Sequence, residues 1–206
     1  MPQVPANPPI FHITHVDNLA GILREGGLWS DAQRNARHLA TTNIGHRHIK
    51  QRRMNRPVMT TAGGTLGDYV PFNFCPRSVM LYPISRGHDD YRGGQGQIVH
   101  LVSDVQTAVA LGRPWAFTDR HAELAHALHY DDLSRLDEVP WHVMGETYWS
   151  QVKEERQAEF LVYEFFPWTA VREVVAMTVE SAKRAQTTIG GSSHHPPVTT
   201  RRDWYY

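Results

Sequence analysis

Residues 10–28, IFHITHVDNLAGILREGGL, carry two structural periods in succession. Ile10, Phe11 and Ile13 around His12 make a short strand pattern, and Leu19, Ile22 and Leu23 then recur at helical spacing, with Asp17 near the start and Gly26 and Gly27 at the end. The stretch reads as strand, helix and stop. His12 and Thr14 are two apart on the strand, so they share a face and set two polar side chains side by side in a cleft. A hydrogen-bonded structural histidine is the plainer reading of His12 taken alone.

The same periods sort the rest of the chain. IVHLVSDV (98–105) and WAFTD (115–119) read as strands, AEFLVYEFF (158–166) as a buried strand and VREVVAMTV (171–179) as its neighbour. DYVPFNFCPRSVMLYPI (68–84) predicts a strand, a turn and a short helix or strand, with its prolines at edges or bulges. Proline-rich residues 1–9 form an extended lead-in, GGSSHHPPVTT (190–200) a flexible linker, and RRDWYY (201–206) a tail whose aromatics could dock back.

A chain of 206 residues with 41% hydrophobic content suits a single domain. Lys plus Arg is 21 and Asp plus Glu is 21, so no global charge argues for nucleic acid or membrane. The balance hides an asymmetry: residues 31–56 hold seven Arg or Lys against Asp31 alone, and residues 119–159 hold ten acids against four bases. The basic segment reads as an exposed cationic face that could grip phosphate, or one that merely pairs with the acidic segment. The single cysteine, Cys75, allows neither an internal disulfide nor a paired-cysteine zinc site, and a lone cysteine in an apolar run is packing. No window approaches the roughly 18 apolar residues of a membrane span, and residues 1–15 lack a basic leader and an apolar core, so a cytoplasmic protein with no membrane partner is expected.

Thirteen histidines raise the question of a metal, but there is no HExxH, and His12 and His15 point to opposite faces of their strand, so none is expected. GxSxG and GxxxxGK are absent, and GGQG (93–96) lacks the strand-to-helix setting of a dinucleotide fingerprint. What remains is the His12–Thr14 face, the basic run with Arg52 and Arg53, and Gln157 with Glu159 entering the strand at 158. Residues i and i+2 share a face there, and a carboxylate among apolar neighbours is expensive unless paired or used.

With those residues in view, the chain resembles the DarT DNA ADP-ribosyltransferases, the toxin halves of DarT–DarG toxin–antitoxin pairs. The segments that carry the resemblance are FHITHVDNLAGILREGGL (11–28), IKQRR (49–53), DYVPFNFCPRSVMLY (68–82), GGQGQIVHLV (93–102), FTDRHAELAHA (117–127), RQAEFLVYEFFPW (156–168) and RRDWYY (201–206), in order over nearly the whole chain. It implies a single α+β domain with the split central β-sandwich of ADP-ribosyltransferases. It further implies that His12, Ile13 and Thr14 hold the nicotinamide-ribose end of NAD, that Gly21 and Trp29 line the rest of the cofactor site, and that Ser78 and Met80 lie beneath the nicotinamide. The segment 31–56 would cover NAD and touch DNA, and 112–159 would be the acceptor-recognition loop region. Arg53 and Glu159 match the catalytic pair, His121 a residue near the acceptor, and Gln157 and Arg52 are the substrate contacts expected with it. Asn73 departs from the pattern, standing where some relatives carry an aromatic.

The chemistry agrees. Nicotinamide leaves NAD by losing a formal positive charge, so the protein has chiefly to steady a ribosyl cation, and one carboxylate can do so. The expected reaction is transfer of ADP-ribose from NAD to a nucleobase of single-stranded DNA, thymidine first, with a DarG-like macrodomain antitoxin as partner. Transfer to RNA or protein, and a non-catalytic module that binds NAD or nucleic acid, are the alternatives. Exposed aromatics such as Trp115 or Tyr148 could stack on bases.

Overall fold

In the computed structural model, which describes residues 4–206, ten strands and six α-helices follow one another with short 3-10 turns between. They are β1 (Pro9–His15), α1 (Asn18–Arg24), β2 (Gly27–Trp29), α2 (Asp31–Ala36), α3 (Arg47–Arg53), β3 (Tyr69–Asn73), α4 (Leu81–Arg86), β4 (Ile98–Asp104), α5 (Val105–Ala110) and β5 (Trp115–His121). After them come β6 (His129–Tyr130), β7 (Ala158–Tyr163), β8 (Phe165–Pro167), β9 (Glu173–Ala176), α6 (Val179–Ile189) and β10 (Val198–Thr200). Eight strands form one mixed sheet in the order β10-β9-β4-β1-β3-β7-β5-β6, and β2 with β8 makes a separate ribbon. No helix among the described residues is long and apolar enough to cross a membrane.

The sheet is antiparallel except for β9 with β10, and it parts in the middle. β1 is in register with β4 along its whole length but meets β3 only at Phe11 opposite Asn73. That separation of two half-sheets agrees with the split that the family resemblance implies, and it leaves polar groups of β1 and β3 facing a gap. β7 is buried on both sides, with Phe160 and Val162 in the main core and Leu161 in a second cluster with Tyr69 and Ala116. Burial on both faces explains why AEFLVY reads as a continuous apolar run.

The stop after α1 has a steric cause. Gly26 adopts φ of 76°, and a Cβ on Gly27 would lie 2.3 Å from the carbonyl oxygen of Phe166 in the β2–β8 ribbon. The tail docks: Tyr205 is 2% exposed, and its hydroxyl donates to Nδ1 of His100 at 3.0 Å, while Nε2–H of His100 donates to the Pro76 carbonyl at 2.7 Å. Gln95 of the GGQG segment accepts from the Tyr206 amide at 3.1 Å, so that motif seats the C-terminus.

Four sequence expectations are corrected. Residues 190–200 are not a flexible linker: Val198–Thr200 form β10, parallel to β9 across the α6 crossover, and His194 is held by Trp168 and by the Val171 carbonyl. A three-residue strand directly after a proline pair gives little periodic signal, yet parallel pairing satisfies its backbone. β9 is not the neighbour of β7; it pairs with β4 and β10, because periodicity marks a strand without naming its partner. The lead-in ends at residue 8, since Pro9 already pairs with Asp104, and residues 1–3 lie outside the described part. Trp115 is not an exposed platform, for it stacks on Phe117 and Phe160.

Candidate active site

Where β1 and β3 part, a cleft of about 280 Å³ opens, roofed by α2, α3 and the segment joining them. Its floor is set by a histidine used as a strap. His12 Nδ1–H donates across the gap to the Pro71 carbonyl at 2.9 Å, which leaves Nε2 with a lone pair. Burial lowers the His12 pKa to about 4, so the ring is neutral. Thr14 accepts a hydrogen bond from Asn18 at 3.0 Å, and Asn18 also clasps Thr42 through its backbone, fastening the roof to the start of α1.

Opposite stands Glu159, first residue but one of β7 and in register with Asn73 of β3. Its carboxylate is gripped by both terminal nitrogens of Arg53, at 2.9 and 2.8 Å, and accepts the Ala122 amide at 3.3 Å. The two side chains are only 12% and 7% exposed. Burial by itself would raise the Glu159 pKa, but the Arg53 charge and hydrogen bonds hold it below the ordinary carboxylate range. Burial likewise opposes the charge on Arg53, and Glu159 outweighs it, so the guanidinium stays protonated. His121, at the irregular end of β5, lines the same cleft, and its pKa is lowered by burial against the pull of Glu159.

The structure therefore brings His12, Ile13, Thr14, Gly21, Trp29, Arg53, Met80, His121, Gln157 and Glu159 to one cleft. Two expected residues stand apart from it. Arg52 is 56% exposed and pairs with Glu123, because it occupies the outer face of α3. Ser78 is buried behind the cleft with its hydroxyl unpartnered. Gln157 belongs to a 3-10 turn rather than to β7, and its amide donates to the Lys153 carbonyl at 2.9 Å, so it reaches the cleft from the turn and not through strand alternation.

The basic segment is not simply solvated. Arg52 and Arg53 pair with acids of 119–159, and Arg56 donates to the Leu124 carbonyl at 2.7 Å, so part of the opposite charge is consumed internally. Lys50, one turn before Arg53, points into the cleft and bonds Asp31 at 3.0 Å; burial lowers its pKa against the pull of Asp31. Sequence reading missed Lys50 and Asp31 as site residues, although the i, i+3 spacing of Lys50 and Arg53 on one helix places them on one face. Trp29 closes the far end, tilted on Phe165 at 4.3 Å with the Arg37 guanidinium 3.8 Å from its ring centre. The region 112–159 is only partly loop, since β5 and β6 stand in its first half.

Residues 11–206 match the family model described as ssDNA thymidine ADP-ribosyltransferase, DarT. The chain belongs to the DarT family. A DNA ADP-ribosyl transferase of Thermus sp. (strain 2.9) is 41% identical over 207 residues, covering 98% of both chains. One of Escherichia coli O127:H6 is 31% identical over 208 residues, covering 96% of this chain and 93% of that one. The solved Thermus sp. 2.9 DarT in complex with ADP-ribosylated ssDNA superposes with a TM-score of 0.93 at 40% identity, covering 99% of each chain. The same DarT in complex with NAD+ gives a TM-score of 0.89 at 38% identity, covering 99% of this chain and 100% of that one. The family membership and the mixed α+β fold agree with the resemblance carried by the sequence.

Proposed function

We propose that this DarT-family chain transfers ADP-ribose from NAD to thymidine in single-stranded DNA and releases nicotinamide. The observation that carries the residue-level reading is the Glu159 carboxylate, ionised and almost fully buried, facing a cleft whose other wall is His12 and Thr14. A buried negative charge aimed into a ligand-sized cleft is suited to a cation that exists only in passing.

The donor fits the cleft by charge and shape: Lys50 and Arg34 offer positive charge for a diphosphate, Trp29 an aromatic wall, and Thr14 and the His12 lone pair polar contacts for the nicotinamide-ribose end. Glu159 accepts a hydrogen bond from the ribose 2′-hydroxyl and steadies C1′ as the glycosidic bond breaks and its electron pair leaves with nicotinamide. The thymine ring nitrogen then bonds C1′ and loses its proton. Arg53, held protonated, is unsuited to take that proton; it stabilises the imide anion through its carbonyl oxygens. His121, kept neutral by burial, receives the proton. Because Arg53 clasps both carboxylate oxygens, Glu159 becomes available only when Arg53 turns toward the substrate.

Base chemistry requires an unpaired base, which favours a single strand. An aromatic cluster outside the cleft lining offers flanking bases a surface to stack on: Tyr82, Trp149 and Tyr206 lie edge to face, with Arg77 over Tyr206 at 4.2 Å, and Tyr148 is 91% exposed nearby in sequence. Acting as a toxin in the cytoplasm, where NAD and replicating DNA are found, the chain would be opposed by a DarG-like macrodomain antitoxin. The test is incubation with labelled NAD and, separately, a thymidine-containing single strand, the matching duplex, RNA and protein. Label on the single strand is expected; label on RNA or protein alone would overturn the choice of acceptor.

A further inference from the structure

We propose that His46, His88 and Asp90 form a binding site for a divalent transition-metal ion of the zinc type at the outer rim of the cleft. One potential ligand atom from each residue lies within 4.8 Å of the others. The three come from two segments: His46 precedes α3, while His88 and Asp90 sit on the tight turn after α4, closed by reciprocal backbone bonds between His88 and Tyr91 at 2.9 Å. No spacing in the sequence links residue 46 to residues 88 and 90, which is why the histidine search by motif passed over them.

The hydrogen bonding of His88 is that of a ligand. Its Nε2 lies 3.2 Å from the Ile44 carbonyl, which can only accept, so the proton sits on Nε2 and the lone pair on Nδ1. That Nδ1 is buried and has no hydrogen-bond partner. A buried acceptor left unpaired is costly, and a metal-bound histidine characteristically donates its other nitrogen to a backbone carbonyl in this way. The His46 ring stands 4.0 Å from the His88 ring, and His46 Nδ1 is 4.0 Å from Asp90 Oδ2. Ligands about 2.0 Å from a tetrahedral zinc ion are separated by a little over 3 Å, so atoms within 4.8 Å of one another reach that spacing by at most about 1.5 Å of relative side-chain movement. The His46 and Asp90 side chains are 23% and 21% exposed, leaving them room to make it. Asp90 already accepts the Arg47 amide at 3.0 Å, which orients the carboxylate. Two imidazoles and one carboxylate suit zinc and its neighbours over magnesium or calcium, and His48, its ring 5.3 Å from that of His46, or water can complete the shell.

The role is that of a staple, not of a catalyst. His46 precedes the helix that carries Lys50 and Arg53, and an ion would tie the start of that helix to the 87–91 turn. Tightening of NAD binding rests on the function proposed above; binding of the ion does not.

The experiment titrates chelator-stripped protein with zinc chloride alone by calorimetry and repeats it with cobalt(II), reading the visible absorption of a tetrahedral cobalt centre. One ion per chain is expected, with a rise in Tm. Asp90→Asn, which keeps the side-chain shape, and His88→Ala should each weaken binding by about tenfold or more, while His195→Ala, an exposed histidine outside the cluster, should not. Absence of stoichiometric binding by the wild-type chain, or unchanged wild-type affinity in Asp90→Asn and His88→Ala, would overturn the proposal. If the ion binds but NAD affinity is unaltered, the stapling role fails and the site stands.

Discussion

The pair between Arg53 and Glu159 makes a stability prediction that can be worked from the geometry. Both oxygens meet both nitrogens at 2.8–2.9 Å, with side chains 12% and 7% exposed. Removing one partner of a fully buried pair costs about 3–5 kcal/mol, because the other charge is left without compensation. Here the pair borders a cleft, so water reaches the orphaned group and about 2 kcal/mol is expected for Arg53→Met. Glu159→Gln should cost a similar amount, since a neutral amide cannot balance the guanidinium. The double substitution strands no charge and should lie close to wild type, giving a coupling energy of about 4 kcal/mol in magnitude by a double-mutant cycle in urea. A coupling below about 0.5 kcal/mol would mean that the side chains do not hold this arrangement in solution, and the idea that Arg53 must release Glu159 before reaction would go with it.

Three further outcomes follow from other groups. Burial lowers the His100 pKa to about 4 from 6.5, a gap that corresponds to about 3 kcal/mol. The unfolded chain takes up this proton below pH 6.5 and the folded chain does not, so stability should fall as pH drops from 6.5 toward 4 and level off below; urea unfolding at pH 7 and 4.5 should show a smaller fall for His100→Gln. Because the His121 pKa is lowered by burial, the ring stays neutral below the usual histidine midpoint, and the transfer rate should hold as pH falls through 6.5; His121→Gln should lose about a hundred-fold or more and flatten the acid limb, and a pH–rate profile reads both. Lys50→Met should raise the KM for NAD about tenfold or more and change kcat little, the pattern of a lost charged contact made equally in ground and transition states.

How far the sequence reaches depends on the range of the signal. β1, α1, β4, β5 and β7 were legible because apolar alternation or helical spacing is a local property, and Glu159 stood out because a carboxylate in an apolar strand is locally anomalous. Pairing is not local, so VREVVAMTV was given the wrong neighbour, and β10 was missed because its three residues follow His194–Pro197 with no pattern of their own. The fate of charges is equally non-local: Arg53 and Lys50 look like members of one solvated run, yet one turn of α3 turns both into the cleft while Arg52 faces water. Gln157 lies one residue before β7 begins, so the strand alternation that groups it with Glu159 does not reach it. The roles of His12 and Thr14 came from the family resemblance and from their shared face together, and the Pro71 strap that fixes the His12 tautomer could be seen only with coordinates.

Central to all of this is a single carboxylate that steadies a ribosyl cation. Nicotinamide release from NAD by Glu159→Gln, measured beside wild type with the thymidine-containing strand present and folding checked by circular dichroism, addresses it most directly. A loss in kcat of about a thousand-fold, with NAD affinity little changed, is expected for one lost transition-state contact in a buried site. Turnover within a few-fold of wild type by the folded variant would contradict it.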